Sequence, residues 1–141
     1  MKKAIIAAVT GALLMCSLPL TTVNAEYDEP VIETDVEEYA YTNSITSSLV
    51  FNGSTAYCRS SVRGKNTVTR IEATQKLQKK VWWWWDDVQT WPDSVNGREL
   101  DMLNTTTVTE SGTYRVRIEA RVYSGNNYED VYCNSTEVDY P

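Results

Sequence analysis

The most unusual side-chain chemistry in this sequence lies in the run Lys79-Lys80-Val81-Trp82-Trp83-Trp84-Trp85. Neighbouring residues of a β-strand point to opposite faces, so four consecutive indoles cannot all enter one core. Some of this aromatic surface must face solvent, another sheet or a partner. Exposed indoles offer rigid contact area to sugar rings and apolar surfaces. The predicted ligand-binding residues are Trp82, Trp83, Trp84, Lys79 and Lys80. The alternative is that the run covers a sheet face or mediates self-association.

Catalytic chemistry is poorly represented elsewhere in the chain. The sequence has no histidine, which removes histidine-activated nucleophiles, histidine general bases and imidazole metal sites. It has no Gly-rich phosphate loop and no cysteine cluster for zinc. Asp86 and Asp87 could act as paired carboxylates, but adjacent strand residues point apart and could not flank one bond. We therefore expect no catalytic residue, no metal, no cofactor and no enzymatic activity.

The N-terminus is typical of an export signal. Met1-Lys-Lys is followed by the apolar stretch 4–20 and the small-residue site Val23-Asn24-Ala25. We predict a signal peptide over residues 1–25, cleaved after Ala25, and a secreted mature protein with no stable membrane span. A retained anchor is the alternative, although the apolar run is short for spanning a bilayer. The remaining 116 residues suffice for one domain.

An acidic leader is predicted over residues 26–43. Seven acids and no base occur between Glu26 and Tyr41, and losing Lys2 and Lys3 leaves 11 basic against 19 acidic residues, a net charge of −8. Such a segment is typical of a solvated linker. Binding of calcium or a basic partner is the alternative, and nucleic acid is a poor candidate partner for so acidic a chain.

From residue 44 to residue 141 the composition predicts an all-β domain. Turn signals recur every ten to fifteen residues, and no helical period lies between them. The longest two-residue alternation, in 110–123, places Tyr114, Val116, Ile118, Ala120 and Val122 on one face. We expect strands near 45–51, 55–63, 67–78, 85–91, 99–109, 113–123 and 128–139.

Two cysteines remain after the predicted cleavage. Cys58 and Cys133 both fall on inward parities of an exported chain, which predicts a disulfide between them. Closing a loop of 76 residues would stabilise the fold by roughly 4.5 kcal/mol. A pair of free thiols is the alternative.

The segment Glu110-Ser-Gly-Thr-Tyr114 resembles the acidic-x-Gly-x-Tyr corner of immunoglobulin-like sandwiches. The resemblance implies a two-sheet antiparallel sandwich of about seven strands, with structural roles for Gly112 and Tyr114. The sequence departs from the antibody pattern at Val116, where antibodies have the second cysteine.

A second resemblance covers roughly residues 58–133. Leu77-Gln-Lys-Lys80, Trp85-x-x-Val88-x-x-Trp91 and the Gly-x-Tyr-Arg-Val segment 112–116 resemble small exported Gram-positive bacterial proteins classed only as a domain of unknown function. The resemblance implies structural roles for Trp85, Val88 and Trp91, and a hairpin tip at 81–84. The expected function is a secreted, non-catalytic binding module for glycan or cell-surface polymer, with a protein partner, including its own copy, second.

Overall fold

The computed structural model describes residues 39–141, of which 76% lie in β-strands and none in a helix. The predicted signal peptide and residues 26–38 of the predicted leader lie outside the described residues. The strands are β1 (Thr42–Asn52), β2 (Thr55–Gly64), β3 (Arg70–Val81), β4 (Trp84–Val95), β5 (Glu99–Thr107), β6 (Gly112–Ser124), β7 (Asn127–Asn134) and β8 (Val138–Tyr140).

These strands form two antiparallel sheets, which confirms the all-β, two-sheet prediction. The three-stranded sheet has the order β1-β2-β5, and the five-stranded sheet has the order β4-β3-β6-β7, with β8 paired to β6 beside β7. The strand predicted over 128–139 is interrupted after Asn134. There the backbone N–H of Ser135 donates to the carbonyl of Val116, and the Ser135 hydroxyl oxygen accepts a hydrogen bond from the N–H of Val116. The third strand starts later than expected, at Arg70, and continues to Val81.

The apolar core lies between the two sheets. The alternation predicted for β6 is confirmed, because its five inward residues from Tyr114 to Val122 are all buried. Leu49, Cys58, Leu77 and Val108 extend this core from other strands and from the loop after β5. Each large apolar side chain that becomes fully buried stabilises the fold by roughly 1.5–3 kcal/mol.

A chain of hydrogen bonds also crosses this core. The hydroxyls of Ser47 and Ser60 lie 2.8 Å apart, and the amide of Gln75 donates to Ser60 at 2.9 Å. Asn104 in turn donates to the carbonyl oxygen of Gln75 at 2.8 Å. Because a buried polar group without a partner costs about 1–3 kcal/mol, this chain favours one alignment of the two sheets.

The predicted disulfide between Cys58 and Cys133 is not found among residues 39–141. Cys58 is a buried free thiol, and burial raises its pKa to about 12. Its strand β2 packs across the core onto β3 and β6, whereas β7, which carries Cys133, packs onto β1. Both cysteines face inward as expected, but their strands do not face each other.

The corner before β6 joins the two sheets near the end of β3. The hydroxyl of Tyr114 donates to the carbonyl of Glu110 at 2.6 Å, and Lys79 forms an ion pair with the Glu110 carboxylate at 2.8 Å. Gly112 has φ 154°, and a Cβ there would meet the Lys79 side chain at 2.7 Å. The structural roles expected for Gly112 and Tyr114 therefore have a physical basis.

Candidate binding site at the tryptophan hairpin

The β3–β4 hairpin ends in a two-residue loop formed by Trp82 and Trp83. Val81 and Trp84 form the last strand pair, so the loop lies at 81–84, where the second resemblance placed a tip. Trp82 has φ 59°, and it is the only described non-glycine residue with a positive φ. A single left-handed residue at the first loop position is the pattern of a type II′ turn, which normally has glycine there.

The two loop indoles and the first indole of β4 are exposed to solvent. Trp82 is 79% exposed, Trp83 is 81% exposed and Trp84 is 43% exposed. The rings of Trp83 and Trp84 pack edge to face with their centroids 5.2 Å apart. The Trp84 indole N–H donates to Asp86 at 3.1 Å, which fixes the ring against the start of β4. We name Trp82, Trp83 and Trp84 the tryptophan tip.

The other two tryptophans of the hairpin lie away from the tip. Trp85 is partly buried on the outer face of the five-stranded sheet, with the Arg115 guanidinium 4.1 Å from its ring centroid. Trp91 packs against the core. These positions give both residues packing roles. Val88, the third residue of that motif, is left unpaired at a register shift between β3 and β4 and is exposed.

Both candidate lysines form ion pairs with acids. Lys79 binds Glu110, and this hydrogen bond raises the pKa of Lys79 and lowers that of Glu110. Lys80 lies 3.9 Å from a carboxylate oxygen of Glu137. Their charges are therefore balanced locally, and the lysines lie beside the tryptophan tip without adding a net positive patch.

The adjacent carboxylates do not converge. Asp86 pairs with Lys79 and Asp87 with Gln78, so the two aspartates project to opposite faces of β4. Asp87 accepts a hydrogen bond from the Gln78 amide at 2.9 Å and lies 3.7 Å from the Lys76 ammonium. Within residues 39–141, no group of three or more acidic, cysteine or histidine residues could hold a metal ion. No helix in the same range is long and apolar enough to cross a membrane.

The outer face of the five-stranded sheet is a second feature that the sequence interpretation missed. Guanidinium groups lie 4.1 Å from three ring centroids on this face, namely Arg115 on Trp85, Arg117 on Tyr132 and Arg121 on Tyr128. An open groove of about 880 Å³ crosses β4, β3, β6 and β7 there. The signal was present in the polar parity of 115–123, which alternation assigns to the outward face.

Comparisons with known proteins returned no match. No family model fits the chain, and neither a curated protein nor a solved structure was found to be similar to it.

Proposed function

We propose that this protein is an exported, non-catalytic binding module that holds glycan at the tryptophan tip. The proposal depends on one observation above all: a two-residue turn carries two almost fully exposed indoles, and one of them has a backbone conformation that favours glycine. A bulky residue at positive φ is an outlier that costs of order 1–3 kcal/mol. A side chain kept there at that cost, without being buried, is best explained by a contact outside the chain.

The chemistry around the tip favours a sugar ligand over an anionic surface. Lys79 and Lys80 are each paired with a glutamate, so the tip offers no excess positive charge to anionic lipid or polymer. Indole faces pack on the apolar faces of sugar rings, while the nearby Asp86 carboxylate can accept hydrogen bonds from hydroxyl groups. A neutral, polyhydroxylated chain fits this combination.

The proposed scaffold is an immunoglobulin-like sandwich. In that fold the strand with the corner tyrosine lies between its partners C and G, and strands A, B and E share the other sheet. Here β6 lies between β3 and β7, while β1, β2 and β5 form the second sheet. The 2.6 Å bond from the Tyr114 hydroxyl to the Glu110 carbonyl supports the same assignment.

The proposal that the protein is exported rests on the sequence of residues 1–25, which is typical of a cleaved signal peptide. Mass spectrometry of the protein released by its native host should find a chain that starts at Glu26. A chain that retains residues 1–25 would contradict secretion by cleavage, without bearing on the binding site.

The test of binding uses a turn taken from the same molecule. The double variant Trp82→Gly, Trp83→Ser copies the Gly53-Ser54 loop that joins β1 and β2. Wild type and variant are incubated with insoluble peptidoglycan, chitin and cellulose, and the bound fraction is measured against protein concentration. Removing two indoles that become buried against ligand should cost at least about 1.5–3 kcal/mol, which is roughly a 10- to 150-fold loss of affinity.

The matched control is Leu103→Ser, which removes an exposed apolar side chain from the outer face of the three-stranded sheet. It should bind as wild type does. Equal binding by the Gly-Ser variant would refute the tip as the glycan site. If wild type bound none of the three polymers but its mass in sedimentation rose with concentration, self-association through the tip would replace the glycan proposal.

A further inference from the structure

We infer that the groove across the outer face of the five-stranded sheet is a second glycan subsite, which binds a more distant part of the chain held at the tryptophan tip. The inference rests on the proposed function, because it takes the same class of ligand. It adds a different set of residues on a different surface, and those residues can be altered separately.

The groove runs across the strands, from the edge strand β4 to β7. Its lining includes Ser94 on β4, Thr74 on β3, Glu119 and Arg121 on β6, and Asp130 and Tyr132 on β7. Cross-strand pairing places Thr74, Glu119 and Tyr132 in one row. A hydroxyl, a carboxylate and an aromatic ring thus follow one another across neighbouring strands.

Tyr132 provides the flat apolar surface that a sugar ring requires. The Arg117 guanidinium lies 4.1 Å from its ring centroid and covers one face, while the residue remains 57% exposed. Such a cation–π contact holds the ring in one orientation. The ring is therefore positioned in advance, which reduces the entropy lost when a ligand stacks on it.

Both arginines in the groove are paired with carboxylates of the same face. Arg121 holds Asp130 through two hydrogen bonds of 2.8 and 3.0 Å, and Glu119 receives one of 2.7 Å from Arg117. The bond from Arg117 is the main cause that lowers the pKa of Glu119. The lining holds two further acids, Glu72, which is paired with Arg70, and Asp93. The groove thus has no excess positive charge, and it suits an uncharged ligand with many hydroxyl groups better than an anionic polymer.

The spacing along β3 allows one linear ligand to contact both sites. Thr74 in the groove and Lys80 beside the tip are six residues apart, which is about 20 Å at roughly 3.4 Å per strand residue. A polymer that contacts both sites gains from the high effective concentration of its second part. Short fragments lack this gain, so affinity should rise steeply with chain length.

The experiment compares a tyrosine that lines the groove with a tyrosine of the same strand that does not. Tyr132 and Tyr128 lie on the same face of β7, each 4.1 Å from a guanidinium and each at least half exposed, but only Tyr132 lines the groove. Tyr132→Ala should weaken binding to insoluble peptidoglycan, chitin or cellulose, whichever wild type binds, by about tenfold. Tyr128→Ala should stay within about twofold of wild type. Ser94→Leu, which fills the groove from an exposed edge position, should reproduce the loss.

The outcomes separate the two sites. If Tyr132→Ala and Ser94→Leu bind normally while the Gly-Ser tip variant does not, the groove is not a subsite and the proposed function stands. If the groove variants lose binding and the tip variant keeps it, the groove is the site and the tip proposal fails. Equal losses for Tyr132→Ala and Tyr128→Ala would show a general effect on the face and overturn the inference.

Discussion

Three hairpins within residues 39–141 have a two-residue loop, but only two of them have the residue that the loop geometry favours. The first loop residue is Gly53 between β1 and β2, Gly125 between β6 and β7, and Trp82 between β3 and β4. Their φ angles are 62°, 63° and 59°. The φ angle is thus nearly the same at all three positions, and the side chain differs.

The comparison shows in which turns the choice of residue is explained by the stability of the fold alone. Glycine at Gly53 and Gly125 satisfies a positive φ without strain. Trp82 adopts the same φ only because the surrounding structure imposes it, since β3 and β4 are paired without a break from Gln78 and Asp87 to Val81 and Trp84. A strained residue that also leaves its ring in water is a candidate for function rather than for stability.

The largest expected effect on stability comes from placing tryptophan at the first loop position of a glycine turn. Gly53→Trp should lower the free energy of unfolding by about 1–3 kcal/mol, because the φ of 62° then carries a bulky side chain. A Cβ at this position would meet nothing within 4 Å, so steric clash adds little. Urea unfolding followed by circular dichroism measures the change.

Ser54→Trp is the control for that substitution, because it adds the same indole to the same loop at an ordinary φ. It should change stability by less than about 0.5 kcal/mol. If Gly53→Trp were as stable as Ser54→Trp, a tryptophan at this φ would carry no cost. The strain at Trp82 would then say nothing about function.

Alternation in the sequence predicted which side chains face inward, but not how the sheets are aligned. The inward parity of β6 is confirmed from Tyr114 to Val122, because strand geometry assigns alternate residues to opposite faces wherever the strand stays regular. The same parity places Gln75 with Ile71 and Leu77 on the inner face of β3. The buried hydrogen bonds of Gln75 could therefore have been suspected from the sequence.

The disulfide shows where this reasoning stops. Parity establishes that Cys58 and Cys133 both point into the core, yet a bridge also requires their Cα atoms to lie within about 7 Å. That distance depends on which strands face each other across the sandwich. Cys58 on β2 faces β3 and β6 instead of β7, and no local pattern encodes this choice.

The turn at Trp82 could not be found from local propensity either. Tryptophan favours strands, and nothing in Val81-Trp-Trp-Trp84 has the composition of a turn. The loop follows from the pairing of β3 with β4, where cross-strand contacts outweigh the preference of one residue. The groove was missed for a related reason, because its lining residues come from four strands and meet only in the folded sheet.

A smaller effect, of opposite sign, is expected at the tryptophan turn itself. Trp82→Gly should raise the free energy of unfolding by about 1 kcal/mol, since glycine relieves the strain at φ 59° and the lost ring is exposed. Trp82→Ala is the matched control, because it removes the indole and keeps a Cβ at the same φ. Urea unfolding should rank glycine above both alanine and tryptophan. Equal stability of the glycine and alanine variants would mean that the backbone is not strained.

The smallest effect on stability is expected at Trp83. A substitution there removes an exposed ring without changing a strained backbone position. Trp83 has no positive φ and is 81% exposed, so Trp83→Ser should change the free energy of unfolding by less than about 0.5 kcal/mol. Its edge-to-face contact with Trp84 is solvent-exposed and holds no core residue in place. The same substitution should nevertheless weaken polymer binding by about tenfold, since one stacking ring is lost. A decrease of more than about 1 kcal/mol in the free energy of unfolding would show instead that the Trp83 ring packs for the fold. The exposure of Trp83 would then no longer support a binding site at the tryptophan tip.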